Sequence, residues 1–97
     1  MSKVVILKLI TGEEALASKT TDNLGMGGSI DYYEKVRVVV RGQDDRGQPT
    51  VGLISFIALA PDAKIQINKA LIFAELPASA SVEKSYLEAT TGLVLAK

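Results

Sequence analysis

The fold is decided by residues 32–41, which read Tyr32-Tyr33-Glu34-Lys35-Val36-Arg37-Val38-Val39-Val40-Arg41. Charged and apolar residues alternate here, with Lys35, Arg37 and Arg41 on one side and Val36, Val38 and Val40 on the other. A period of two places successive side chains on opposite faces of a β-strand. The pattern therefore predicts a strand with one face in the core and the other in water.

Two further strands are predicted on the N-terminal side of this one. Residues 4–10 are almost all β-branched or leucine, which is typical of a strand, and residues 14–20 read as its hairpin partner after a turn at Thr11-Gly12. Residues 22–29 hold three glycines in four positions. Because glycine loses more conformational freedom on folding than any other residue, this stretch predicts an irregular loop.

Two more strands are predicted on the C-terminal side. A polar turn at residues 43–49, with Gly47 at a positive φ, leads into Val51–Leu59. This strand is apolar on both faces, so we expect it to be buried on both. Residues 65–73 continue as a fifth strand, which Pro77 closes.

A short helix is predicted at about residues 80–91. Ser79 and Ser81 offer N-cap hydroxyls, and Gly92 is placed to end the helix. One helical face carries Val82, Tyr86, Ala89 and Leu93. Residues 93–97 form an apolar tail.

Five short strands with tight turns in one small domain, residues 1–97, favour a small barrel or a sandwich. A barrel of this size leaves edge strands with unpaired backbone groups, which a second copy of the chain can pair. The strand Val51–Leu59 then lies either between subunits or in the centre of one sheet. The pattern leaves both alternatives open.

The composition excludes several classes of function. The chain of 97 residues has no His and no Cys, and its 11 Lys and Arg balance 11 Asp and Glu. Without these two residue types there is no thiolate nucleophile, zinc ribbon or Ser-His-Asp arrangement, so we expect no enzyme, cofactor or metal. A zero net charge also gives no support for a broad basic face.

Neither a targeting segment nor a membrane helix is predicted. The longest uncharged apolar run, Val51–Ala60, has ten residues, where a membrane helix needs about 20. Met1-Ser2-Lys3 leads directly into the first strand, which is too short for a signal sequence and contains a lysine. We therefore expect a cytoplasmic protein.

Two stretches resemble the bipartite signature of the Sm-like family. The first motif is similar to Leu7–Glu14 together with Asp31–Val38, and the second to Ile67-Asn68-Lys69 with the apolar strand that follows. The layout is also similar to that of small uncharacterised Sm-like proteins of tailed phages, especially those of cyanobacteria. Four features carry this second resemblance, namely an opening strand with a Leu-x-Thr-Gly-Glu-Glu turn at Leu9–Glu14, the Ile65–Lys69 stretch, a helix with Tyr86 and a Thr-Gly-apolar tail from Thr91.

The resemblance implies a fold and a mode of assembly. The fold is a strongly bent five-stranded antiparallel barrel with a short C-terminal helix, in place of the N-terminal helix of most Sm-like proteins. Copies of the chain would form a homo-oligomeric ring through their edge strands. If the protein is phage-encoded, its compartment is the cytoplasm of the host cell.

The resemblance also implies a candidate RNA site. In the family, an aromatic ring stacks on a base, an Asn reads its edge, and an Arg-Gly pair grips it from the opposite loop. At the matching positions Tyr33 would stack, Lys35 replaces the Asn, and Asn68 with Lys69 replaces the Arg-Gly pair. Tyrosine at a strand start also commonly serves only to pack.

Two hypotheses about function follow. The first is a non-enzymatic assembly module whose ring offers surfaces to an unidentified partner protein. The alternative is single-stranded RNA binding through Tyr33, Lys35, Asn68 and Lys69.

Overall fold

A computed structural model describes residues 3–91, which form one antiparallel sheet and one helix. The strands are β1 (Lys3–Leu9), β2 (Glu14–Gly25), β3 (Gly28–Gln43), β4 (Pro49–Ser55), β5 (Lys64–Ile65) and β6 (Ile72–Pro77). A 3₁₀ turn, Lys69–Leu71, precedes β6, and the helix α1 spans Ala80–Thr91. The predicted mainly β fold with a C-terminal helix is confirmed.

The sheet has the order β4-β3-β2-β1-β6, and β5 pairs with the first half of β3. Each neighbouring pair is antiparallel. Among residues 3–91, β4 pairs only with β3 and β6 pairs only with β1. The sheet is therefore open, with β4 and the two-residue β5 along one edge and β6 at the other.

The core lies on one face of this sheet. Buried apolar side chains from its first three strands form the core cluster, namely Val5, Leu7, Leu9, Ala15, Ala17, Tyr33 and Val36. In β1 every second residue is buried, because Val5, Leu7 and Leu9 all point to this face. Burial of a leucine or valine side chain contributes about 1.5–3 kcal/mol to folding.

A β-bulge at Lys35 bends β3. Leu16 pairs with Arg37 but Ser18 pairs with Glu34, so Lys35 and Val36 both oppose Ala17. Lys35 has a φ of 52°, in the left-handed region. A bulge of this kind bends its strand and increases the local twist, and here it turns the first half of β3 over the core.

The prediction that Arg37 lies on a solvated face is wrong. Only 9% of the residue is exposed. Its guanidinium group donates hydrogen bonds to the carbonyl oxygen of Pro61 at 2.5 Å and to Oδ1 of Asp62 at 2.8 Å. The alternation of charge along β3 could not reveal this, because the covering loop lies about 25 residues further along the chain.

The prediction of an irregular loop at residues 22–29 is also wrong. These residues form the end of a long hairpin, in which Gly25 pairs with Gly28 around the turn residues Met26 and Gly27. Both turn residues have positive φ, 51° and 81°, as a type I′ turn requires. The glycines therefore serve a tight turn rather than a disordered connection.

The strand predicted at Val51–Leu59 is shorter than expected and lies at the edge of the sheet. It ends at Ser55, and Val51 and Ile54 are 69% and 53% exposed. Burial on both faces is thus wrong for the single chain, and so is the alternative of a central strand. Apolar residues on both faces indicate that another surface can bury this strand. They do not identify that surface.

The fifth predicted strand is divided into two. β5 and β6 take its ends, and the 3₁₀ turn lies between them. The side chain of Asn68 caps this turn, since its Oδ1 accepts a hydrogen bond of 2.9 Å from the backbone N–H of Ala70. Asn competes well for local backbone donors, which interrupts the strand.

The predicted helix is confirmed in position. Ser79 caps it, accepting at its carbonyl oxygen from the N–H of Glu83 at 2.9 Å. Tyr86 is completely buried against the outer face of the sheet, whereas Ala89 is exposed, so the predicted apolar face is right at Tyr86 and wrong at Ala89. Gly92, Leu93 and the predicted apolar tail lie outside the described residues.

Candidate functional site

The two free edges of the sheet are the most unusual feature of the surface. Natural sheets protect their edges with charged residues, proline or bulges, because an unpaired strand offers backbone groups to another chain. β4 carries no charged residue, and its one proline, Pro49, is its first residue. The only charged residue of β6 is Glu75, whose side chain turns towards the core, and its one proline, Pro77, is its last residue.

Large apolar side chains are exposed along both edges. On β6, Phe73 and Leu76 are 76% and 59% exposed, comparable with Val51 and Ile54 on β4. Just beyond β4, Leu59 is almost fully exposed. Exposed apolar residues on a free edge strand favour pairing with a further strand.

Val51 on the β4 edge and Leu76 on the β6 edge lie on the same face of the sheet. Leu76 pairs with Ile6, and the antiparallel pairings Ile6–Leu16, Leu16–Arg37 and Arg37–Ser55 carry that face across the sheet. Val51 is four residues from Ser55 and lies on the same face. In a joined sheet whose faces are continuous, a β4 edge placed against a β6 edge would therefore carry Val51 and Leu76 on the same face.

A cluster of polar side chains lies beside the β6 edge, on the core face. Glu75 accepts a hydrogen bond of 2.9 Å from the hydroxyl of Tyr33 and one of 2.6 Å from the ammonium of Lys19. Lys19 also lies 3.7 Å from Asp31, which accepts a hydrogen bond from the hydroxyl of Thr21 at 2.7 Å. The cluster joins β2 and β3 to an edge strand that pairs with neither.

The pKa values in this cluster are shifted by these contacts. The hydrogen bond to Glu75 raises the pKa of Lys19, against the opposing effect of burial. Burial and then the hydrogen bond to Glu75 raise the pKa of Tyr33. The hydrogen bond from Thr21, followed by the charges of Lys19 and Lys69, lowers the pKa of Asp31. These shifts favour a charged Lys19, an ionised Asp31 and a neutral Tyr33 at neutral pH.

The four residues of the candidate RNA site lie in different surroundings. Asn68 and Lys69 border a shallow cavity of about 440 Å³ together with Asp31 and Ser29. Tyr33 is only 3% exposed and its hydroxyl bonds to Glu75, so almost none of its ring is accessible in the single chain. Lys35 lies at the bulge, outside the residues that border this cavity. The structure thus brings Asn68 and Lys69 together, and not all four.

Two further observations concern other kinds of site. Within residues 3–91, no group of three or more His, Cys, Asp or Glu side chains is arranged to hold a metal ion. In the same part of the chain, no helix is both long and apolar enough to cross a membrane.

A groove of about 420 Å³ lies between the first half of α1 and the outer face of β3 and β4. Its walls are mostly apolar, with Leu16, Val39 and Leu53 on the sheet and Val82 on the helix. The Glu14–Arg41 ion pair, at 3.3 Å, lies at its rim. Since Val51 also borders it, the groove is continuous with the β4 edge.

No family model, curated protein or solved structure matches this chain. The Sm-like resemblance therefore stays a prediction that rests on the motifs of the sequence.

Sequence reasoning missed Glu75 and Lys19, which are the centre of the polar cluster. The sequence nevertheless contains a feature that marks each of these two residues. Glu75 is the only charged residue of an otherwise apolar strand, and Lys19 follows the small buried residues Ala15 and Ala17 on the same strand. A lone charge in an apolar strand requires a partner when its side chain faces the core.

Proposed function

We propose that this chain is a non-enzymatic assembly module whose copies form a ring, with the β4 edge of one copy paired to the β6 edge of the next. The observation that carries the proposal is that both edges are free, apolar and almost uncharged. The finer classification as an Sm-like domain belongs to the same proposal, since the bulge at Lys35 of β3 and the motif residues are consistent with it.

The arrangement of the edges favours a ring over a two-fold dimer. β4 and β6 lie at opposite ends of the sheet order, so pairing one with the other is head-to-tail. Head-to-tail contacts propagate until the rotation between copies closes them, and they then give a cyclic oligomer. The surfaces that the ring offers to a partner protein would include the groove beside α1.

Two charge substitutions test the proposal. Val51→Lys places an ammonium on the β4 edge and Leu76→Lys places one on the β6 edge. Each variant alone is expected to be monomeric by light scattering, where the wild-type chain has the mass of several subunits. Met26→Lys, which makes the same change at an exposed hairpin turn far from both edges, is the matched control and should keep the wild-type mass.

Mixing the two variants distinguishes the head-to-tail arrangement from other ones. Val51→Lys keeps an intact β6 edge and Leu76→Lys keeps an intact β4 edge, so an equimolar mixture should form a dimer of one copy of each. A wild-type chain that stays monomeric at all concentrations would contradict the proposal. Loss of assembly in Val51→Lys but not in Leu76→Lys would instead indicate a two-fold β4–β4 contact.

Single-stranded RNA binding is the second candidate function. The observation in its favour is the largely exposed ammonium of Lys69, beside Asn68 at the rim of the 440 Å³ cavity. The expected result is binding of U-rich or A-rich oligonucleotides that weakens with added salt and with Lys69→Glu. Arg46→Glu, on the exposed β3–β4 turn, is the control. No retention of either oligonucleotide at low salt would contradict this function.

A further inference from the structure

The side chain of Glu75 on β6 contacts a residue of β3, although these two strands are not neighbours in the sheet. β3 and β6 are three places apart in the sheet, so in a flat sheet they would lie about 14 Å apart, at roughly 4.8 Å for each spacing. The hydroxyl of Tyr33 on β3 nevertheless lies 2.9 Å from Oε1 of Glu75 on β6. Side chains stand roughly perpendicular to a flat sheet, so this contact indicates that the sheet is curled around the core.

No backbone pairing maintains that curl between β3 and β6. Among residues 3–91, β6 has hydrogen-bonded strand contact with β1 alone. The side-chain contacts that extend from Glu75 beyond β1 are those with Tyr33 and with Lys19, at 2.9 Å and 2.6 Å. They run across the core face, where Tyr33 is buried and the side chains of Lys19 and Glu75 are mostly buried.

We infer that Tyr33 and Lys19 are positioning residues, which act through Glu75 to hold the β6 edge at the curvature that lets it pair with β4 of a second copy. This inference rests on the proposed function. Side-chain contacts take the role that strand pairing has in a closed barrel, and they leave the outer backbone edge of β6 free for a partner. The curvature of one subunit sets the angle to the next, so these contacts also set the number of subunits in the ring.

Four variants, two of them controls, separate this role from simple stabilisation. Tyr33→Phe removes the hydroxyl and keeps the ring, and Glu75→Gln removes the charge that Lys19 pairs with while keeping an acceptor for Tyr33. Tyr32→Phe is the matched control, because it removes the same group from a neighbouring tyrosine of β3 whose ring contacts Lys64 rather than β6. Thr21→Val is a second control, since it removes a hydrogen bond within the polar cluster that does not involve β6.

The readouts are the subunit number by native mass spectrometry, the dissociation constant of the assembly by sedimentation equilibrium, and amide exchange of residues 72–77. Tyr33→Phe and Glu75→Gln are expected to raise the dissociation constant about tenfold, which corresponds to one hydrogen bond to a charged group. They should also broaden the distribution of subunit numbers and speed exchange in β6. Tyr32→Phe and Thr21→Val should leave the dissociation constant and the subunit number unchanged.

The possible outcomes distinguish the two proposals. A multi-subunit wild type whose dissociation constant is the same in Tyr33→Phe and Glu75→Gln would overturn the inference and leave the proposed function standing. An equal weakening by Thr21→Val would also overturn it, because a general loss of stability would then explain the effect. A wild type that is monomeric throughout would overturn the proposed function and the inference with it.

Discussion

The hydroxyl of Tyr86 in α1 lies 2.9 Å from the carbonyl oxygen of Lys35, the residue whose positive φ bends β3. It also lies 3.1 Å from the carbonyl oxygen of Glu34 and 3.2 Å from Oγ of Ser18. A hydroxyl has one proton, so it donates to one carbonyl at a time and can accept from Ser18. The helix is thus fastened to the sheet at the point where the sheet bends.

Tyr86→Phe should therefore lower the free energy of unfolding by about 1–3 kcal/mol, since it leaves buried carbonyl groups without their donor. Urea unfolding followed by circular dichroism measures the change. Tyr32→Phe is the control, because Tyr32 is only partly buried and its ring contacts the ammonium of Lys64 rather than a buried carbonyl. Equal effects of the two substitutions would contradict this role of the Tyr86 hydroxyl.

The bulge itself gives a prediction about backbone strain. At a φ of 52°, Lys35 lies in a region that costs an ordinary residue roughly 1–2 kcal/mol and costs glycine almost nothing. Lys35→Gly should leave the free energy of unfolding unchanged or raise it by about 1 kcal/mol, after the greater entropy of glycine in the unfolded chain is counted. Lys35→Val should lower it, because β-branched residues are poorly suited to positive φ. Destabilisation by Lys35→Gly greater than by Lys35→Val would contradict a positive φ at this position, because both variants lack the amine and differ in their backbone preference.

Part of this architecture is readable from the sequence, and the reason is local. The alternation of residues 32–41 and the β-branched run at 4–10 identify strands, because burial of one sheet face leaves a period of two in any strand. The helix was predictable from Ser79 and Tyr86 for the same reason, since capping and helical periodicity act over a few residues. These features can be recognised without knowing which residues pack against the strand or the helix.

The rest depends on contacts between distant residues. Glu75 meets Tyr33 across 42 residues, and Arg37 meets Asp62 across 25. Neither pairing leaves a local pattern. The exposure of β4 is also hidden, because a strand that is apolar on both faces has the same sequence whether its own chain or a second copy covers it. The positive φ of Lys35 has no signal, since lysine is not a residue that favours it.

Stability at alkaline pH should depend on the buried phenols. Burial raises the pKa of both Tyr33 and Tyr86 above the usual 10.0, and the hydrogen bond to Glu75 raises that of Lys19 above 10.5. A group whose pKa is higher in the folded state contributes stability that is complete below its unfolded pKa and is lost as the pH rises through the folded value. The free energy of unfolding should therefore hold steady up to about pH 10 and fall above it.

Urea unfolding between about pH 8 and pH 11 measures this dependence, with tyrosinate absorbance as the direct readout of ionisation. Replacing both Tyr33 and Tyr86 by Phe should make the alkaline decline shallower, although the variant begins from a lower stability. An unchanged slope in this double variant, or ionisation of all three tyrosines near pH 10, would contradict the assignment.

Substitutions at the two turn residues, Met26 and Gly27, should change the free energy of unfolding in opposite directions. A type I′ turn requires positive φ at both positions, where Asn-Gly is the preferred pair, and Met26 is fully exposed there with a φ of 51°. Met26→Asn should raise the free energy of unfolding by roughly 0.5–1 kcal/mol, because Asn tolerates this backbone region better than Met. Gly27→Ala should lower it by about 1 kcal/mol, since an L side chain at a φ of 81° is strained. A Cβ at Gly27 would meet no atom within 4 Å, so the loss would come from the backbone alone. Urea unfolding measures both variants, and two changes of the same sign would show that residues 25–28 do not keep this turn in solution.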